Sequence, residues 1–262
     1  MSRKLLVTLL SAASIGGIAM ASGTASADLI GVNFVVQGTN VANNSLSATS
    51  TAGYIPQENF NNVTSPATLG TAGTSNDFGP INNLVDSTGA STPVSISGVF
   101  NNNYQTGTHP VNGPNYALLY GEFKTGKSTS TATATSSVTL SGLGSGSYNL
   151  VVYTVADFFK VTSITGTFSV GSDSQTVMEQ QGSSFDGTFV NATGTTPGNY
   201  IEFTNITPVN GDITLNILAT NGANVGVDGI QLQTVPEPAS VGIFGAGAVG
   251  LMLLSRRRRA LK

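Results

Sequence analysis

Between residues 28 and 234 the chain is written in short apolar runs separated by polar clusters. The runs at 30–36, 94–100, 137–140, 147–153 and 212–218 are β-branched or alternate apolar with polar, the period-2 pattern of half-buried strands. Further runs of this kind lie at 116–123, 164–170, 175–179, 200–206 and 225–232. Clusters of Gly, Asn, Ser and Pro stand between them and supply turn geometry. Helical periodicity is sparse. About ten short strands so punctuated predict an all-β, single-domain fold, an antiparallel β-sandwich of jelly-roll type. The segment Leu140-Ser141-Gly142-Leu143-Gly144-Ser145-Gly146-Ser147-Tyr148 joins two apolar strands through a glycine-rich turn and is expected to make them partners. A phosphate-cradling loop would need a helix after the glycines, and 148–153 reads as strand. The Ser/Thr/Ala stretch at 128–137 predicts an exposed edge strand or a loop.

The two ends depart from this pattern. Arg3 and Lys4 precede an apolar run at 5–18, and Ala25-Ser26-Ala27 supplies the small residues of an A-x-A cleavage site, so residues 1–27 read as a removable secretory signal. At the other end Val235-Pro236-Glu237-Pro238 leads into an apolar run at 239–255, followed by Arg256, Arg257, Arg258 and Arg259. At about 1.5 Å per residue the run spans about 25 Å, near the lower limit for crossing a hydrocarbon core. The four arginines hold residues 256–262 on the cytoplasmic side. The expected organisation is therefore a signal peptide at 1–27, an ectodomain at 28–234 and a tail at 235–262.

Pro236, Glu237 and Pro238, the short span and the basic end together resemble the PEP-CTERM sorting signal of Gram-negative bacteria. The resemblance implies a partner, the membrane protease-transpeptidase called exosortase, which recognises such tails and releases or transfers the protein to the cell surface. With the signal peptide it implies passage through the Sec translocon, cleavage by signal peptidase, a transient stay in the inner membrane, and a final location at the surface or in the extracellular matrix.

Charge reads differently once the ends are set aside. The whole chain is formally −3, but residues 28–234 hold Lys124, Lys127 and Lys160 against twelve Asp and Glu, a formal −9. Phosphate backbones bind through Lys and Arg, so nucleic acid is excluded as a partner. Cysteine is absent, which removes thiol nucleophiles, Cys-based zinc sites and haem attachment. A chain of this length buries a sizeable core without disulfides.

A second resemblance rests on four short segments: Gly53-Tyr54-Ile55-Pro56-Gln57-Glu58-Asn59-Phe60-Asn61-Asn62-Val63, then 119–123, 143–153 and 227–232. They are similar to a β-sandwich domain found in exported PEP-CTERM proteins of polysaccharide-producing bacteria, where Phe60 is often tryptophan. That domain type implies fold and location and supplies no catalytic residues.

Inventory narrows the chemistry. His109 is the only histidine and lies in a Gly/Asn/Pro loop, with no G-x-S-x-G elbow to present a nucleophile. Glycoside hydrolysis needs two carboxyl groups about 5–9 Å apart, and Glu58 with Glu122 is the pair to test. Carbohydrate binding without catalysis is the stronger alternative: Tyr54, Phe60 and Tyr116 offer aromatic platforms, and Asn61 and its neighbours offer amides for hydroxyl groups. Asp157, Asp173, Asp186 and Asp228 lie near turns where calcium could bind, but no D-x-D-x-D-G loop is present and no cofactor is expected. The reading is a non-enzymatic exported surface or matrix protein, with extracellular polysaccharide as the possible ligand.

Overall fold

The computed structural model describes residues 28–37, 43–68, 76–126, 133–156, 164–220 and 223–236. In chain order its elements are β1 (Leu29–Gln37), β2 (Asn61–Thr68), β3 (Phe78–Ile81), β4 (Ser95–Val99), β5 (Asn102–Gln105), α1 (Pro114–Leu118), β6 (Gly121–Lys124), β7 (Ala134–Ser141), β8 (Tyr148–Tyr153), β9 (Val155–Ala156), β10 (Ile164–Val170), β11 (Asp173–Gln181), β12 (Pro197–Gly198), β13 (Tyr200–Ile206), β14 (Ile213–Ala219), β15 (Gly226–Val227) and β16 (Gly229–Thr234). Helix is confined to the single turn of α1 and two 3-10 turns among the described residues. The fold is mostly β, as expected.

Three sheets form. One has the order β13-β8-β16-β1-β2, a larger one runs β12-β11-β10-β14-β7-β4-β3 with β9 beside β11, and a short one is β15-β6-β5. Pairing is antiparallel except for β1 with β2, β11 with β9 and β11 with β12, which are parallel. The main core lies between the first two sheets. Ile30, Val32, Phe34 and Val36 of β1 point into it, as do Val138 and Leu140 of β7 and Leu215 and Ile217 of β14. Phe34 stacks on Phe123 with centroids 4.8 Å apart, and Phe78 and Phe100 close the aromatic cluster. Each such ring contributes about 2–3 kcal/mol by leaving water.

The five-stranded sheet is covered on both faces. Along β8, Leu150 and Val152 enter the main core, whereas Val151 and Tyr153 enter a second apolar cluster with Leu46, Phe60, Leu118, Phe185 and Tyr200. A strand buried on both sides reads as a continuous apolar run, which is how 147–153 is written.

Three expectations change, and the segment 61–68 adds a strand outside the predicted runs. The glycine-rich segment 140–148 does not pair its flanking strands: β7 belongs to the larger sheet and β8 to the five-stranded one, so the turn crosses between layers. Gly142, at φ +81, sits where a Cβ would meet the Pro93 carbonyl oxygen at 2.4 Å. The Ser/Thr/Ala stretch enters the sheet from residue 134, and β7 is an inner strand between β14 and β4, not an edge; residues 127–132 lie outside the described set. The run at 116–123 splits into α1 and β6, because Gly113-Pro114 starts a helical turn before the strand begins. Finally, 61–68 is a strand, β2, despite its asparagines: Asn61 and Asn62 spend their side chains on backbone groups of neighbouring segments.

Candidate functional site

The face of the five-stranded sheet turned away from the main core carries a loop, residues 52–60, held down by two buried side chains. Gln231 on β16 is fully buried; its Nε2 donates to the Ile55 carbonyl at 2.7 Å and to Gln57 Oε1 at 2.8 Å, and its Oε1 accepts from the Ile55 amide at 3.2 Å. The Tyr153 hydroxyl donates to Gln231 Oε1 and accepts from the Tyr54 amide at 2.5 Å. Burial pushes the Tyr153 phenol well up, so it stays a donor at any physiological pH. Asn115, in α1, accepts from the Gly53 amide at 2.9 Å. Gly31 makes room beneath: a Cβ there would meet Gln57 Nε2 at 2.6 Å and the Phe60 ring at 2.7 Å.

That clamp sets Tyr54 on the surface. Its ring is 42% exposed and stacks on Tyr200 with centroids 4.2 Å apart and planes at 22°. The seam continues through Phe189, 6.5 Å from Tyr200, to Phe185 at 5.8 Å and on to Tyr116 at 4.9 Å, with Tyr153 beneath Phe189. Tyr116 and Phe189 are half-buried and Val190 is exposed. The phenol of Tyr200 is pushed up to about 12, first by desolvation, then by the neighbouring Tyr54 hydroxyl and Glu202 carboxylate. Asp186 is exposed beside this seam in sequence, its carboxyl held low by hydrogen bonds from the backbone and hydroxyl of Thr188. Tyr200 and Phe185 are buried, at 7% and 6% exposure, and form the packed floor of the seam, so the rings open to the apolar face of a ring-shaped polar ligand are Tyr54 and the half-buried Tyr116 and Phe189.

Tyr54 and Tyr116 thus stand at the two ends of one chain of ring contacts. Phe60 does not: it is 5% exposed and packed over Gly31 in the second cluster, so it offers no platform. Asn61 is also spent, donating to the Gly31 and Val85 carbonyls and accepting from the Val85 amide. Tyr200, Phe185 and Phe189 were missed. The signal available for the last two was an aromatic pair four residues apart in a Gly/Asp/Thr loop with no strand pattern to explain it.

The proposed carboxylate pair separates. Glu58 is on the surface, within 3.5 Å of the Thr51 hydroxyl, whereas Glu122 is fully buried with Lys124 Nζ 3.2 Å from its Oε2. A group with no solvent-exposed surface cannot meet a glycosidic bond. Glu122 instead belongs to a buried charged cluster with Lys124, Glu179 and Asp228, all 0% exposed. Glu179 Oε1 accepts from the Thr154 hydroxyl at 2.5 Å and the Gly226 amide at 3.2 Å, and Asp228 Oδ2 accepts from the Val155 amide at 2.7 Å. Desolvation, then the carboxylates of Glu122 and Glu179, raise the Asp228 carboxyl well above its usual value, against the pull of Lys124. The aspartates considered for calcium are not gathered: Asp228 is buried, Asp173 is exposed at the start of β11, Asp186 is exposed in the loop after the second 3-10 turn, and Asp157 is outside the described residues. Among the described residues no group of three or more His, Asp or Glu is placed to hold a metal ion. His109 is exposed.

The chain leaves the fold from the middle of a sheet. Thr234, the last residue of β16, donates its amide to the Asp28 carbonyl at 3.0 Å and accepts at its hydroxyl from the Asp28 amide at 2.8 Å. The Val235 amide donates to Ser147 at 2.8 Å, and Pro236 is exposed. Glu237, Pro238 and Arg256 to Arg259, like Ala25 and Ala27, lie outside the described residues.

Among protein families, the PEP-CTERM protein-sorting motif matches residues 234–259. This motif marks export and sorting to the cell envelope or surface. No curated protein matches the chain. Among solved structures, one described as TmCBM61 in complex with β-1,4-galactotriose is similar at 15% identity and a TM-score of 0.31, over 55% of this chain and 90% of that one.

Proposed function

We propose that this chain is a non-enzymatic surface or extracellular-matrix protein, exported through the Sec translocon and signal peptidase and processed by an exosortase at Pro236-Glu237-Pro238. The observation that carries this reading is the sorting motif at residues 234–259. The working part is a β-sandwich of jelly-roll type spanning 28–234, and the apolar run at 239–255 is a transient inner-membrane anchor. No cofactor takes part. Replacing both Pro236 and Pro238 with Ala should leave a full-length, membrane-retained chain, read by fractionation and immunoblot; release at the normal rate contradicts the reading.

A second reading is favoured by the seam: carbohydrate recognition with extracellular polysaccharide as ligand. Tyr54 is held in place by buried Gln231 and Tyr153 yet keeps its own ring face in solvent, an arrangement suited to stacking on sugar. Equilibrium binding of the secreted protein to the producing cell's polysaccharide tests it, with an EDTA arm for calcium. Saturable binding that EDTA leaves unchanged fits a seam-based site, and no binding at millimolar sugar removes it.

A further inference from the structure

The tail departs beside a cleft that the sorting reading leaves unused. The cleft holds about 360 Å³ and is walled by Ile30, Leu143, Tyr148 and Leu232, with Asp28 and Asp86 in its lining. Thr234 lines it too, so the last residue of β16 is part of its wall. Partial desolvation opposes ionisation of Asp86, but the hydroxyl and amide of Thr88 and the amides of Ala90 and Gly89 hold its carboxyl below the usual value. The cleft is therefore apolar within, and at its edge the carboxylates of Asp28 and Asp86 outnumber the one α-amino charge that a chain beginning at Asp28 carries.

Spacing makes this cleft matter. The backbone is paired through Val235, and the recognised residues begin at Pro236. Covalent geometry limits the path from Val235 to Ala239 to at most about 14 Å. A protein gripping residues 236–238 therefore touches the rim of the domain. It could avoid the rim only by peeling β16 from both β1 and β8, which would expose Ile230 and Leu232. A lipid surface is a poor occupant, because anionic headgroups are repelled by carboxylates.

From this placement we infer that the cleft at the Asp28/Thr234 rim is the docking site for the extracytoplasmic face of the membrane peptidase that acts on the tail, receiving an apolar side chain flanked by a basic one. The inference rests on the sorting reading and extends it from a linear motif to the folded domain.

Gly144 provides the test. It is exposed, its φ is not positive, and the one atom near an added Cβ is the Tyr148 hydroxyl at 3.6 Å, an ordinary contact. Gly144→Trp covers the cleft without touching the motif. In the full chain expressed in the producing cell, pulse-chase should show tail removal slowed about tenfold, equivalent to ~1.4 kcal/mol, with export and melting temperature unchanged. Asp86→Asn keeps the turn's acceptor oxygen, loses the charge and should slow removal about threefold; it stands in if the Trp variant misfolds. The Pro236→Ala/Pro238→Ala chain is run alongside. If that chain is retained while Gly144→Trp and Asp86→Asn are processed at the wild-type rate, the docking site is overturned and the sorting reading stands. If the double-proline chain is processed normally, the sorting reading fails and the docking site with it. Loss of a wild-type dimer in Gly144→Trp, with tail removal unchanged, overturns the proposal in favour of self-association.

Discussion

Asp228 shows how a single buried carboxyl couples this fold to pH. It has no exposed surface, and Glu122 and Glu179 stand near it, so it keeps its proton where an exposed aspartate has lost one. A carboxyl with a raised folded pKa contributes its full stability below the unfolded value of 3.8, and that contribution falls as pH rises from there towards the folded value. Asp228→Asn retains an acceptor for the Val155 amide and removes the titration. Its melting temperature should exceed the wild type's at pH 8, with the difference vanishing near pH 4; an equal shift at both, by calorimetry, would show that titration is not the cause. Tyr54 is the complementary case. Because its ring is 42% exposed, Tyr54→Ala should cost about 1 kcal/mol or less in stability while reducing polysaccharide affinity about tenfold, measured by titration of the secreted protein.

At the scale of elements, the loop 52–60 depends on close approach to β1 and on Gln231 of β16. Gly31→Ala would put a Cβ 2.6–2.7 Å from Gln57 and Phe60, so loop and sheet must part; a loss of about 1–3 kcal/mol, with faster amide exchange at Tyr54 and Ile55, is expected from denaturant melts and hydrogen exchange. Most strands were legible because β-branched alternation and turn residues agree over 30–36, 94–100 and 212–218. What was not legible has physical reasons. The partners of β7 and β8 are decided by sheet packing, and the glycines between them are compatible with a hairpin or a crossover alike. Asn61 and Asn62 look like turn residues until their amides find the carbonyls of Gly31, Val85 and Leu46, which are distant in sequence. The seam was half visible: Tyr54 and Tyr116 stand out in polar loops, but Tyr200 lies in a strand and resembles any core tyrosine.

For the whole molecule, the arrangement of the ends is the main structural fact. Asp28 and Thr234 hydrogen-bond to one another, so the segments before and after the described domain leave from one rim, while Tyr54 and its seam lie on the outer face of the same sheet. On the proposed reading, a tail that tethers the domain at this rim leaves that outer face free to solvent. The charge division agrees with this: arginines at 256–259 lie beyond the apolar run, and the domain itself is acidic. The central claim is that the chain is an exported protein whose two ends are processing signals, and intact mass spectrometry of the protein recovered from the cell surface and medium tests it most directly. A species beginning at Asp28 and lacking the apolar run and arginines is the predicted result. A full-length chain, with residues 1–27 and 239–262 both present on the surface-exposed protein, would contradict it.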